Sequence, residues 1–190
     1  MPPEIRRGKL VVITGPMFAG KTSRLIQLLK RESYAGHKVI LFKPDIDDRY
    51  SLDKVVSHDG LGLDAVRVKT DKDGVEVIRD KAASYDVIGI DEAQFWSDDS
   101  GLEKLVNELA NSRKLVYLAT LNRDYKGVPF SIAQKVLAIA DEIHSLTAVC
   151  AVCGEEAAFT YRKISNSNER ILVGGKDIYE PRCRECFNKG

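Results

Sequence analysis

Residues Gly15-Pro16-Met17-Phe18-Ala19-Gly20-Lys21-Thr22 carry the spacing G-x-x-x-x-G-K-[ST] and directly follow the apolar run Leu10-Val11-Val12-Ile13. The spacing suits a phosphate. Glycines at 15 and 20 let the backbone curl without Cβ clashes, so successive N–H groups turn toward phosphate oxygens at the positive end of the next helix. Lys21 then reaches the β- and γ-phosphates, and Thr22 offers its hydroxyl to Mg²⁺. Gly15 through Thr22 thus form an expected nucleoside triphosphate loop, against the plainer alternative of a glycine-rich turn.

An acidic partner follows downstream. Tyr85-Asp86-Val87-Ile88-Gly89-Ile90 is a short apolar run ending in Asp91-Glu92. An aspartate at such a strand end holds Mg²⁺ together with the loop threonine, which assigns Asp91 to the metal. Glu92 is left over, and a second carboxylate beside the metal-holding one suits a base that takes a proton from an attacking oxygen. The alternative is an ordinary strand-end or helix-capping acid.

The four cysteines form two pairs, Cys150-Ala151-Val152-Cys153 and Cys183-Arg184-Glu185-Cys186. Two C-x-x-C knuckles bring four thiolates to tetrahedral reach, the pattern of a structural Zn²⁺ site. Disulfides are the alternative, and they suit an exported chain. A redox motif needs only one pair. The long stretch between Cys153 and Cys183 must be held as a loop or hairpin between the knuckles.

These groups need a frame. From residue 9 to about 148, β-branched runs alternate with helical stretches, which argues for a parallel sheet flanked by helices. Expected strands are Leu10–Thr14, Lys38–Phe42, Val87–Asp91, Leu115–Thr120 and Ile143–Thr147. Expected helices are Lys21–Ala35, stopped by Gly36, then Asp73–Ser84, Leu102–Asn111 and Pro129–Ala140. The fold class is therefore α/β, a P-loop (RecA-like) sheet over residues 1–148, with a small zinc-ribbon module over 149–190. Between Lys43 and Val68 acids and glycines crowd the chain, so a long loop with at most short strands is expected there. His37 and His144 read as surface or strand-end residues, and His58 falls in that loop.

The 190 residues are 44% hydrophobic, enough for one main core and an appendage. A net charge of +1 argues against nucleic acid as the main partner. The N-terminal residues lack a signal peptide's apolar stretch, and no run is long enough to span a membrane, so a soluble cytoplasmic protein is expected. Phe18, Phe95, Trp96, Tyr125, Phe130 and Tyr179 lie at motif ends and are candidates to line one flat pocket. Three classes remain open on these residues: a small-molecule kinase, a nucleic-acid-stimulated ATPase with a zinc ribbon, and a nucleotide switch.

The chain resembles the type II thymidine kinases, the cellular cytosolic and bacterial class. The resemblance lies in the loop at 15–22, Lys43-Pro44 with Asp47-Asp48-Arg49-Tyr50, Ser57-His58-Asp59, Ile90-Asp91-Glu92-Ala93-Gln94-Phe95, Pro129-Phe130, the run Leu146 to Gly154, and Val173-Gly174-Gly175 with Tyr179 ahead of Cys183. It covers nearly the whole chain.

The resemblance implies transfer of phosphate from ATP to the 5′-hydroxyl of thymidine, and of deoxyuridine, with Glu92 as base, Lys21 as phosphate clamp and Arg49 near the transferred phosphate. It implies Mg²⁺ at Thr22 and Asp91, and structural Zn²⁺ at Cys150, Cys153, Cys183 and Cys186. Met17, Asp47, Arg49, Gln94, Phe95, Leu121, Tyr125, Phe130 and Thr160 match positions around the nucleoside. A lasso between the knuckles, matching Arg170-Ile171-Leu172-Val173-Gly174 and Tyr179, would close over the base, largely through main-chain groups. A homotetramer, with no nucleic-acid or membrane partner, is also implied. Three positions depart from the family pattern: Asn122 stands for an acid, Tyr125 for the commoner phenylalanine and Trp96 for a second phenylalanine.

Overall fold

The computed structural model describes residues 7–45, 54–56, 62–164, 170 and 174–190, with backbone alone at 54–56 and 62. Along the chain run β1 (Lys9–Gly15), α1 (Lys21–Tyr34), β2 (Val39–Pro44), β3 (Lys54–Val56), β4 (Gly62–Asp64), β5 (Val66–Val68), α2 (Lys72–Ala82) and β6 (Val87–Ile90). A 3-10 turn at Ala93–Phe95 leads to α3 (Leu102–Asn111), β7 (Leu115–Leu121), α4 (Ser131–Ile139) and β8 (Glu142–Ser145). The C-terminal part holds β9 (Ala148–Val149), β10 (Glu156–Ala157), β11 (Phe159–Arg162), β12 (Tyr179–Arg182) and α5 (Arg184–Lys189).

Six strands form one parallel sheet in the order β5-β2-β6-β7-β1-β8. Both faces are covered, so β1 reads as an unbroken apolar run. Val11 and Ile13 pack with Leu25, Ile26, Leu28 and Leu29 of α1. Leu10 and Val12 face the other way, into a cluster built from α2, α3 and α4. The sheet is tight enough that a Cβ at Gly89 would lie 2.6 Å from Leu29 Cδ1.

The four helices and five strands expected from periodicity are present with no end shifted by more than two residues. The start of α4 shifts for a visible reason. Pro129 bridges to Arg123, and the Phe130 amide donates to the Asn122 carbonyl at 3.2 Å, so the chain stays extended until Ser131. Between β2 and α2 the described residues hold only the three-residue strands β3, β4 and β5, the short strands expected there, and β5 joins the sheet as its edge. His37 meets Glu32 at 3.0 Å and His144 pairs with Glu142, while His58 lies outside the described residues. No helix among the described residues is long and apolar enough to cross a membrane.

Candidate active site

All six sheet strands run the same way, so β1, β6 and β7 deliver their C-terminal ends to one edge. In open parallel sheets ligands bind at that edge. Gly15 ends β1 at φ 149°, where a Cβ would stand 2.3 Å from the Leu146 carbonyl oxygen. Gly20, at φ 78° in the left-handed region, starts α1, and no side chain caps the helix. The first N–H groups of α1 are thus the kind that an anion satisfies. Lys21 Nζ arches back to donate to the Pro16 carbonyl at 2.7 Å, closing the loop on itself.

Strand β7 separates β1 from β6, and across its end the Thr22 hydroxyl donates to Asp91 at 3.1 Å (Oδ2) and 3.3 Å (Oδ1). Asp91 is buried. Its Oδ1 also accepts the Glu92 amide at 3.0 Å. That bond helps to hold Glu92 at φ 52°, ψ 44°, a left-handed conformation that a non-glycine residue adopts at a cost of about 1–3 kcal/mol. The turn throws the Glu92 carboxylate over the cavity, where Oε2 accepts from Gln94 Nε2. Gln94 Oε1 in turn accepts the Leu121 amide at 3.0 Å. Both ends of the Gln94 amide are therefore engaged with protein, and its role includes fixing Glu92.

One cavity gathers most of the residues expected from sequence. Met17, Phe18, Gly20, Lys21, Thr22, Glu92, Gln94, Phe95, Leu121, Tyr125, Phe130, Thr160, Arg170, Gly174 and Tyr179 line it. Gly15, Pro16, Ala19 and Asp91 are not among the residues that line it. Trp96 lies in the core beside α3 and α4 instead of the pocket. Asp47, Arg49, Ile171, Leu172 and Val173 lie outside the described residues. Thr160 Oγ1 also accepts the Met17 amide at 3.0 Å, which ties β11 to the phosphate loop.

Sequence reasoning missed Arg123, Asp124 and Arg162. Arg123 lines the cavity with its guanidinium 4.4 Å above the Phe159 ring, and burial beside the Arg184 charge lowers its pKa. Asp124 Oδ1 accepts the Lys126 and Val128 amides, each at 2.9 Å. The order Asp124-Tyr125-Lys126-Gly127 is a turn signature that could have revealed it. Arg162 shares strand parity with buried Thr160, so a charged residue on the inward face of β11 was the available signal.

At the far end of the loop lie the cysteines. The four Sγ atoms stand within 4.8 Å of one another, and the Cys153–Cys183 pair is 3.7 Å apart. Tetrahedral thiolates at about 2.3 Å from a zinc ion would be about 3.8 Å apart, so the donor set fits that ion. Phe18 and Ala19 of the phosphate loop pack, as Cys183 and Cys186 do, against the small buried cluster of Ala148, Cys150 and Ala157.

A phosphate loop, a threonine–aspartate pair, a carboxylate poised above them and an aromatic-walled cavity define the site of a P-loop phosphotransferase. The sequence pattern described as "Thymidine kinase" matches residues 8–187, and the chain belongs to the thymidine kinase family. It is 48% identical over 183 residues to the thymidine kinase of Pyrobaculum aerophilum, covering 94% of this chain and 97% of that one. The thymidine kinase of Thermococcus kodakarensis is 46% identical over 183 residues, 94% of this chain and 93% of the relative. That of Bacteroides fragilis is 44% identical over 184 residues, 97% and 89% respectively.

The Met17–Thr160 bond yields a prediction. Thr160→Val keeps the side-chain shape but leaves the Met17 amide without its acceptor, which should cost about 1–3 kcal/mol. Urea unfolding followed with and without nucleotide measures it, and an unchanged midpoint would show that water or another group replaces the hydroxyl.

Proposed function

We propose that this chain transfers the γ-phosphoryl group of ATP to the 5′-hydroxyl of thymidine, and of deoxyuridine, giving the nucleoside monophosphate and ADP. The observation that carries the reading is the Glu92 carboxylate, held by its left-handed turn and by Gln94 over a cavity that also exposes Lys21 and Thr22. Family membership supports the substrate.

In this reading the loop from Gly15 to Thr22 binds the triphosphate, and Lys21 steadies the β- and γ-phosphates. Thr22 and Asp91 would hold Mg²⁺, which offsets charge on those phosphates. Glu92 accepts the proton of the 5′-hydroxyl as its oxygen bonds to the γ-phosphorus. The bond from phosphorus to the ADP oxygen breaks as the new one forms. Arg49 offsets charge on the transferring group. Met17, Phe95, Leu121, Tyr125, Phe130, Thr160 and Tyr179, with Asp47 and main-chain groups of residues 170–174, enclose the nucleoside. Excluding water there favours transfer to the hydroxyl over hydrolysis. Zn²⁺ at the four cysteines is structural and lends its binding energy to residues 149–190, as distinct from the nucleotide-binding part at 1–148. A homotetramer in the cytoplasm, with no nucleic-acid partner, completes the reading.

Three outcomes follow. Glu92→Gln should lower turnover by about 10²–10⁴-fold with ATP and thymidine binding nearly intact, the usual worth of a general base. Wild-type turnover in the variant removes Glu92 from the mechanism. Metal analysis should find one Zn²⁺ per chain, and Cys183→Ser should release it and lower thermal stability; full stability in metal-free protein contradicts the structural role.

Discrimination among nucleosides tests the substrate itself. A fixed order of main-chain donors and acceptors that pairs with thymine mismatches the amino-bearing edge of cytosine, and each buried mismatch costs about 1–3 kcal/mol. kcat/KM for thymidine should therefore exceed that for deoxycytidine by roughly 10- to 1000-fold. The measurement follows labelled γ-phosphate into thymidine, deoxyuridine, deoxycytidine, deoxyguanosine and water, with and without DNA. Label that reaches water only when DNA is present makes the chain a nucleic-acid-stimulated ATPase instead.

A further inference from the structure

Arg162 sits opposite Tyr179 in the β11–β12 pairing and is only 6% exposed. Its guanidinium carbon lies 3.6 Å from the centroid of the Tyr125 ring. Nη2 donates to the Tyr179 hydroxyl at 2.9 Å and, more weakly, to the Arg170 carbonyl at 3.4 Å. From the other side, Arg170 Nε donates to Asp124 Oδ2 at 2.8 Å and its Nη2 to the Pro129 carbonyl at 2.7 Å. The Arg170 guanidinium also lies 4.7 Å above the Phe130 ring. Two arginines thus interlock with two rings of the 122–130 loop, and buried Asp124 anchors one of them.

Packing alone does not explain this arrangement. An apolar side chain would fill the space behind Tyr125 without the desolvation that a buried guanidinium suffers. A guanidinium does what no apolar group can: it stacks on one ring through its face while donating in its own plane to a second. It therefore fixes the plane of Tyr125 and the place of the Tyr179 oxygen together, and both residues line the cavity.

We propose that Arg162 and Asp124 are positioning residues for the nucleoside, a clasp that holds Tyr125, Tyr179 and Arg170 in the arrangement that receives it. The inference rests on the nucleoside kinase reading above. Arg162 acts through the aromatic wall and Asp124 through Arg170 and the turn it caps. Both should govern nucleoside affinity and leave the phosphate chemistry alone.

The test uses the full-length zinc-loaded protein as wild type, Arg162→Met, Arg162→Lys, Asp124→Asn and the Arg162→Met/Asp124→Asn double variant. Thymidine binding is read by calorimetry, and KM and kcat are read for both substrates. Arg162→Met and Asp124→Asn should each raise the thymidine Kd and KM by roughly 10- to 100-fold, with kcat at saturation and the KM for ATP within about twofold. Arg162→Lys should not rescue, because an ammonium lacks the planar fork. The double variant should lose less than the product of the single losses, since both act on one arrangement. Thymidine affinity within twofold of wild type in both single variants overturns the clasp, as does a fall in kcat with unchanged thymidine KM. If Arg162→Met does not fold, the isosteric Asp124→Asn decides by the same two readouts. A wild type that binds no thymidine overturns the functional reading and the clasp with it, whereas a wild type that binds beside variants that bind equally overturns the clasp alone.

Discussion

The hydrogen bond from Thr22 to Asp91 joins residues 69 positions apart, and neither could reach the other without the strand order of the sheet. β7 must lie between β1 and β6, all three must run parallel, and α1 must leave β1 within a few residues. Given that frame, the phosphate loop, the acid at the end of β6 and the lining residue Leu121 at the end of β7 converge on one edge. The covered faces of the sheet serve this end. α1 on one side and α2 to α4 on the other make the edge rigid, so the groups it carries keep their spacing.

Much of this was readable from the chain, for identifiable reasons. The phosphate loop is a local pattern whose chemistry depends on glycines at fixed offsets, and the central strands announce themselves because burial on both faces leaves unbroken apolar runs. Paired cysteines likewise declare themselves by spacing. What stayed hidden has a different character. Pro129 pairs across to Arg123 where helix statistics favoured a helix start. Arg162 and Asp124 act through partners distant in sequence, and no local rule couples a strand arginine to a turn 37 residues earlier. Trp96 shows the reverse error: an aromatic beside a functional motif turned out to serve the core.

Among the described residues, named contacts couple the nucleotide-binding part to the C-terminal part. Met17 donates to Thr160, Phe18 and Ala19 pack on Ala148, Cys150 and Ala157, and Arg170 reaches Asp124. The loop between β1 and α1 is therefore braced from behind by the start of the C-terminal part, where the first cysteine of the knuckles also packs.

Phe18 and Glu92, both beside the cavity, are two of the three described non-glycine residues with positive φ. Glycine or asparagine would sit at either place with less strain. Selection acting on stability alone would drift toward those substitutes, and each step would look neutral or beneficial until the carboxylate was gone. A glutamate in a conformation that disfavours it marks two opposed demands on one residue, and directed evolution toward thermal robustness would need to hold that position fixed.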